Sequence, residues 1–169
     1  MSAPREMTPE QRHEQRMSWL IDEAYRQADN RRVMSLCEAM YDNAQWDRDE
    51  AKVLDERGQR AVVYNEIAPT IDFLIGTERR ARVDFTVSAE DDDDASEQDA
   101  QVKTKLLKFL EAENATGFER SLAAKDAFRA GLGCLYVGVR GDKTGPTVIS
   151  ERVNWRNVLY DSRSEKLDW

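Results

Sequence analysis

The densest chemistry in this 169-residue sequence is a run of four aspartates, Asp91, Asp92, Asp93 and Asp94, within an acidic stretch that reaches Asp99. Carboxylates hold a divalent cation when they converge from several directions, or when a loop folds back at a glycine. A calcium loop counted from Asp91 has Ala95 at its fifth position and no glycine at its sixth. Counted from Asp92, it has Lys103 where the bidentate acid belongs. The template fails in both registers. Adjacent like charges repel and stay hydrated, so the run reads as a solvated acidic loop. Gly131, Gly133 and Gly138 invite a phosphate-loop reading, but they lie between a helical pattern and the strand after it. A phosphate loop must leave a strand and enter a helix. These glycines therefore read as helix termination and close backbone packing.

Arg79, Arg80 and Arg82 form the densest basic cluster, and arginines of this kind can neutralise phosphate or meet a neighbouring subunit. Glu78 and Asp84 flank them, which favours an ion-paired surface over a nucleic-acid site. His13, the one histidine, sits among Arg12, Glu14 and Gln15. No nucleophile, base and orienting acid can be assembled around it. Cys37 and Cys134 are too few and too far apart for a disulfide framework or a zinc site. The residues point to no catalytic site, no cofactor and no metal. The four tryptophans, Trp19, Trp46, Trp155 and Trp169, do not alternate with basic residues and read as core or interface anchors.

The elements that must position these residues follow from periodicity. Thr8-Pro9-Glu10 is a helix start, after a polar beginning that reads as frayed. Met17, Leu20, Ile21, Ala24, Tyr25 and Ala28 make one helical face, and Val33, Leu36, Cys37, Met40 and Tyr41 a second. The phase slips near Asp29-Asn30, which predicts a break. Residues 42–60 are polar and tolerate helix. Asn65 predicts an N-cap for a helix buried through Ile67, Ile71, Leu74 and Ile75 and stopped by Gly76. Arg80 to Ser88 alternates and predicts a half-exposed strand. After the acidic loop, Val102, Leu106, Leu107 and Leu110 predict a helix face with Lys103, Lys105 and Lys108 outside. Phe118 to Ala130 predicts a further helix ending at Gly131. Leu132–Arg140 and Pro146–Val153 predict a hairpin, and Val158–Tyr160 a short strand.

The fold class is therefore α+β, with several amphipathic helices packed with a small antiparallel sheet. Residues 1–45 read as an N-terminal helical segment and 46–169 as a mixed α+β portion. Leu, Ile, Val and Phe together are only about one residue in five, near the level at which disorder becomes plausible. The core must be thin or completed from outside. The net charge of −8 is concentrated: residues 89–99 hold seven acids and no base. No run of about 18 apolar residues and no apolar leader occurs, so the chain reads as soluble and intracellular.

The order of these segments resembles the portal proteins of tailed double-stranded DNA phages, most closely those of short-tailed phages. Tyr41–Asp47 (YDNAQWD) resembles the family's segment after its N-terminal helices. Glu56–Val87 is similar to its helix, glycine and outgoing strand, and Ala100–Asn114 to the helix after its variable loop. Lys125–Val139 (KDAFRAGLGCLYVGV) and Val153–Ser164 (VNWRNVLYDSRS) resemble its helix-to-hairpin passage and the following strand. Two features depart from the family pattern: Ser88-Ala89 stand where a proline often closes the strand, and Ser162 follows Tyr160-Asp161 where the family has proline.

The resemblance implies a structural, non-enzymatic subunit of a ring, usually dodecameric, at a unique capsid vertex of the virion. Such a ring would assemble in the host cytoplasm and pass DNA in packaging and ejection. Its partners would be copies of itself, capsid and scaffolding proteins, terminase, tail or adaptor proteins, and double-stranded DNA without sequence specificity, with no small-molecule substrate. It also implies a wing-like region of a protomer that continues beyond residue 169. The acidic run, Asp91–Asp94, would then repel passing phosphate. The competing readings are a DNA-binding accessory protein using Arg79, Arg80 and Arg82, and a helical adaptor.

Overall fold

The computed structural model describes residues 7–82, 84–90, 93–142 and 145–164. Six helices precede a hairpin: α1 Pro9–Arg26, α2 Ala28–Tyr41, α3 Arg48–Glu56, α4 Ile67–Arg80, α5 Asp94–Glu113 and α6 Thr116–Ala130. The antiparallel strands β1 Cys134–Asp142 and β2 Gly145–Val153 follow, then one 3-10 turn at Trp155–Asn157. The α+β class and the hairpin are as the sequence predicts, with Cys134 opposite Val153 and Val139 opposite Val148.

The helix α6 is the hub, touching α2, α4, α5 and both strands. Its buried positions are small or compact: Ser121, Ala123, Asp126 and Ala130. Small side chains let neighbouring backbones approach closely. At Gly133 a Cβ would collide with the Ala123 carbonyl, so the chain leaving α6 can fold back only with glycine there. Gly131 ends α6 in the left-handed region at φ +84°, where glycine carries no Cβ penalty.

Among the described residues the core is small and almost half polar. Met34, Ala130 and Trp155 pack together with Leu132 against them. Seven apolar residues are buried beside six polar ones, Glu23, Gln27, Glu38, Ser121, Asp126 and Ser150. Each buried carboxylate has a partner. Asp126 receives Arg152 on both oxygens, and Glu38 receives the Trp155 indole N–H at 3.1 Å and Arg156 at 2.7 Å. Tyr41 ties three helices: its hydroxyl donates to Asp72 at 2.8 Å, while Lys125 and Arg129 of α6 lie over its ring.

Several elements differ from the sequence expectation. Thr8 and Gln11 form a reciprocal capping box that begins α1 at Pro9, at the predicted start, so the polar stretch is helical from there; residues 1–6 lie outside the described residues. The break between α1 and α2 falls at Gln27, two residues before the slip in phase. Asn65 does cap α4, accepting from the backbone of Ile67 and Ala68 at 2.9 and 3.1 Å. Gly76 does not stop that helix, which runs on to Arg80 in ordinary helical geometry. The predicted strand Arg80–Ser88 does not form: residues 84–89 have no strand partner, and Val83 lies outside the described residues. Alternation alone cannot make a strand when the main-chain groups find no neighbouring strand. Val87 N–H instead donates to the Thr104 hydroxyl of α5 at 2.9 Å. Val158–Tyr160 is likewise irregular, its Val158 and Tyr160 carbonyls taken by Arg31 and Gln27 side chains.

Candidate surfaces for assembly

The arginine cluster is pulled in two directions by the end of α4. Arg82 makes a bidentate pair with Glu78 one turn earlier, at 3.0 and 2.9 Å. It also donates to the Ser121 hydroxyl of α6, which receives Arg79 at 3.1 Å and itself donates to Glu78 at 3.1 Å. Arg120 approaches the same carboxylate at 3.7 Å. The Arg82 hydrogen bonds hold the Glu78 carboxyl below its ordinary pKa, against the opposing effect of burial, and Ser121 adds to the lowering. Fork-shaped pairing of this kind is the stronger class of ion pair. Arg79 and Arg82 thus tie α4 to α6. Arg80 is exposed and makes no ion pair among the described residues.

The acidic run is divided by the start of α5. Asp91 and Asp92 lie outside the described residues. Asp93 caps α5, its carboxylate accepting from Ser96 N–H at 2.6 Å, and that bond lowers its pKa. Asp94 is the first helical residue and is exposed. The expected acidic loop, Glu90–Asp99, is therefore helical from Asp94 onward. The positive end of the helix dipole and the Asp93 cap favour carboxylates in that first turn. Asp99 then pairs with Lys103 at 2.5 Å. Among the described residues no three His, Cys, Asp or Glu side chains gather at metal-binding distance.

The helix α5 is also turned from the expected facing. Its packed side carries Ala100, Thr104 and Lys108, the last reaching Asp84 at 2.6 Å. Of the expected apolar face, Leu107 and Leu110 border a groove, whereas Val102 and Leu106, like Phe109, are more than half exposed. Residues 84–89 meet α5 through the Asp84 carboxylate and the Val87 N–H. Beside this face lies an open groove of about 230 Å³, lined by Phe85, Leu107, Leu110, Val137, Val148 and Ser150. The Ser150 hydroxyl is buried there without a hydrogen-bond partner.

The helix α1 is inverted in the same way. Glu23 is its one buried residue. Hydrogen bonds tie it to residues 160–162: Ser162 N–H donates to Glu23 at 3.3 Å, and the neighbouring Gln27 side chain donates to the Tyr160 carbonyl at 2.6 Å. Its apolar stripe, including Met17, Ile21 and Tyr25, is left exposed.

The sequence model of the Phage P22-like portal proteins matches residues 17–169. The chain belongs to the P22-like phage portal family. No curated protein matches it. Portal proteins are structural components of the phage particle. In this member the described interior is held largely by ion pairs and hydrogen bonds, and apolar residues of α1 and α5 are left exposed.

The sequence pointed to some of these features and missed others. Both apolar stripes of α1 and α2 are visible by periodicity. Of the tryptophans read as core or interface anchors, Trp155 is buried, Trp19 and Trp46 are exposed, and Trp169 lies outside the described residues. The buried acids Glu23, Glu38 and Asp126 gave no such signal. A carboxylate on a helix reads as solvent-facing until its partner, 26 to 139 residues away, is known.

Proposed function

We propose that this chain is a subunit of a homo-oligomeric ring, of the dodecameric kind, that occupies one capsid vertex and conducts DNA during packaging and ejection. The ring docks terminase on one side and tail or adaptor proteins on the other, and meets capsid and scaffolding proteins at its rim. It assembles in the host cytoplasm and is carried in the virion. The observation that carries this reading is the apolar residues left exposed on α1 and α5 of a family member whose buried residues, among those described, are nearly half polar. Such a surface is stable when copies cover one another. The reading assigns no reaction to the chain; energy for packaging comes from the motor.

Two charged features fit the same reading. Asp93 and Asp94, which follow Asp91 and Asp92 in the sequence, carry negative charge that, if turned to the channel, would keep passing phosphate from adhering. Arg80, which makes no ion pair among the described residues, is the member of the arginine cluster that would meet a neighbour's carboxylate or phosphate, while Arg79 and Arg82 serve the α4–α6 tie. The test is electron microscopy of the purified protein with sedimentation velocity across concentration. Rings with a central channel are expected; a protein that stays monomeric under all assembly conditions refutes the proposal.

A further inference from the structure

We propose that α1 is a hinged arm: it swings on Gln27, and one polar latch, the Glu23 carboxylate on Ser162, holds it against the rest of the chain. This is a property of the single chain and stands apart from the ring reading.

The latch is one end of a longer track. Glu23, Gln27, Arg31, Met34 and Glu38 recur at the spacing of one helical face, and that face runs across the joint between α1 and α2. Every one of them meets the segment that leaves the hairpin, residues 155–162. At the α2 end the contact is both packed and polar. Met34 lies against buried Trp155, Glu38 accepts the indole N–H, and Arg31 donates to the carbonyls of Arg156 at 2.5 Å and Val158 at 3.0 Å. At the α1 end the contact is polar only. Glu23 accepts from Ser162 N–H at 3.3 Å, while the Gln27 side chain donates to Glu23 at 3.2 Å and to the Tyr160 carbonyl at 2.6 Å.

Little else fastens α1. Glu23 is its one buried residue, and Met17, Leu20, Ile21 and Tyr25 are all exposed. Between α1 and residues 161–163 lies an open cleft of about 580 Å³, bordered by Trp19, Asp22, Arg26, Asp161 and Arg163, where a packed seam would otherwise join arm and body. The joint itself is weak. Gln27 ends α1 and precedes α2 at φ −88° and ψ 0°, and no side chain caps the start of α2. The Gln27 Oε1 is buried with no hydrogen-bond partner among the described residues. Opening lets water reach that oxygen, which offsets part of the bonds lost. Elements with few buried apolar contacts open before the rest of a fold, and hinges are end-of-element residues that absorb the change in backbone angle. Most of a helix's stability in a protein comes from packing, so a released α1 also loosens its own hydrogen-bond ladder.

The test is amide hydrogen–deuterium exchange of the full chain, dilute enough to sediment as a monomer, followed by mass spectrometry of its peptides through a series of low urea concentrations. Opening the arm exposes little surface, so exchange in α1 and at residues 160–164 should be fast and nearly independent of urea. Exchange in α6 and the two strands should be slow and should quicken steeply with urea. Glu23→Ala removes the acceptor and should speed exchange in α1 by about tenfold, the scale of a bond to a charged group. Ser162→Pro removes the donor N–H and should do the same. Glu23→Gln keeps an acceptor and should speed it less than Glu23→Ala.

If α1 exchanges as slowly as α6 and with the same urea dependence, it opens only with the whole fold and the hinged arm is overturned. If Glu23→Ala leaves exchange in α1 unchanged, Glu23 is not the latch. If Glu23→Ala unfolds the chain, Glu23 supports the common fold and the arm is likewise refuted. Should proline strain the turn at Ser162, Glu23→Ala and the urea series decide alone.

Discussion

Removing the Trp155 side chain should cost this fold more than any other single truncation in its apolar core. Trp155 is 1% exposed and packs on Met34, Ala130 and Leu132. Two guanidinium groups lie over its ring, Arg31 at 5.4 Å and Arg156 at 4.7 Å from the centroid. A tryptophan buries about 150–250 Å², which at roughly 25 cal/mol/Å² corresponds to about 4–6 kcal/mol as an upper bound. Trp→Ala substitutions in cores cost about 3–5 kcal/mol, and we expect Trp155→Ala to fall in that range. Small domains hold only about 5–15 kcal/mol in total, so the variant should lose a large share of its stability. Trp155→Phe separates packing from hydrogen bonding. It keeps most of the apolar area but withdraws the indole N–H from buried Glu38, whose other oxygen remains paired with Arg156. That loss should cost about 1–3 kcal/mol. Urea unfolding followed by far-ultraviolet circular dichroism measures both. A cost below about 1 kcal/mol for the alanine variant would show that the Met34–Ala130–Trp155 cluster does not anchor the fold. Equal costs for both variants would show that the Glu38 bond, and not burial, is what Trp155 supplies.

Two further outcomes follow from local geometry. Gly133→Ala places a Cβ against the Ala123 carbonyl, a backbone atom that cannot rotate away, and should destabilise by about 1–3 kcal/mol in the same unfolding assay; a neutral result would mean that α6 and β1 separate freely. Acid should weaken the α4–α6 tie. Hydrogen bonds from Arg82, and then Ser121, hold the folded-state pKa of Glu78 below its unfolded value, so its contribution is complete above the unfolded value, near about 4.3, and is lost as pH falls through the folded value. Glu78→Gln should flatten the fall in the urea midpoint across that window, leaving the share due to Glu23, Asp72, Asp84 and Asp93, whose values are lowered too. An unchanged pH profile in Glu78→Gln would remove Glu78 from the set of acid-sensitive contacts.

What could be read directly from the residues was local. The Thr8 start, the Asn65 cap, the Gly131 stop and the hairpin are written in short-range chemistry and form as expected. What could not be read depended on distant partners. The alternation from Arg80 to Ser88 is that of a strand, yet strand formation is a property of a pair, and the chain supplies Thr104 and Lys108 of α5 in place of a second strand. The same partner decides the facing of α5, whose apolar periodicity is legible but whose packed side is not. Arg79, Arg80 and Arg82 look equivalent in the sequence; one helical turn and Ser121 divide them into two that tie α4 to α6 and one that makes no ion pair among the described residues.

The low apolar content has a different meaning once burial is known. A chain with about one Leu, Ile, Val or Phe in five could be disordered, or could hoard those residues in a small core. This one does neither. Met17, Ile21, Val102, Leu106, Phe109 and Val137 are spent on the surface, while Glu23, Glu38 and Asp126 occupy the interior. Paired buried charges add little net stability over apolar packing, but breaking one leaves an uncompensated charge and is costly. An interior of that kind fixes geometry more than it adds stability. In the proposed ring such an interior would hold the faces in register while further apolar surface is covered by neighbours. Stability of the assembled protein should therefore rise steeply with concentration, as expected when folding is coupled to subunit contact. A thermal midpoint independent of concentration across the assembly range would contradict that coupling.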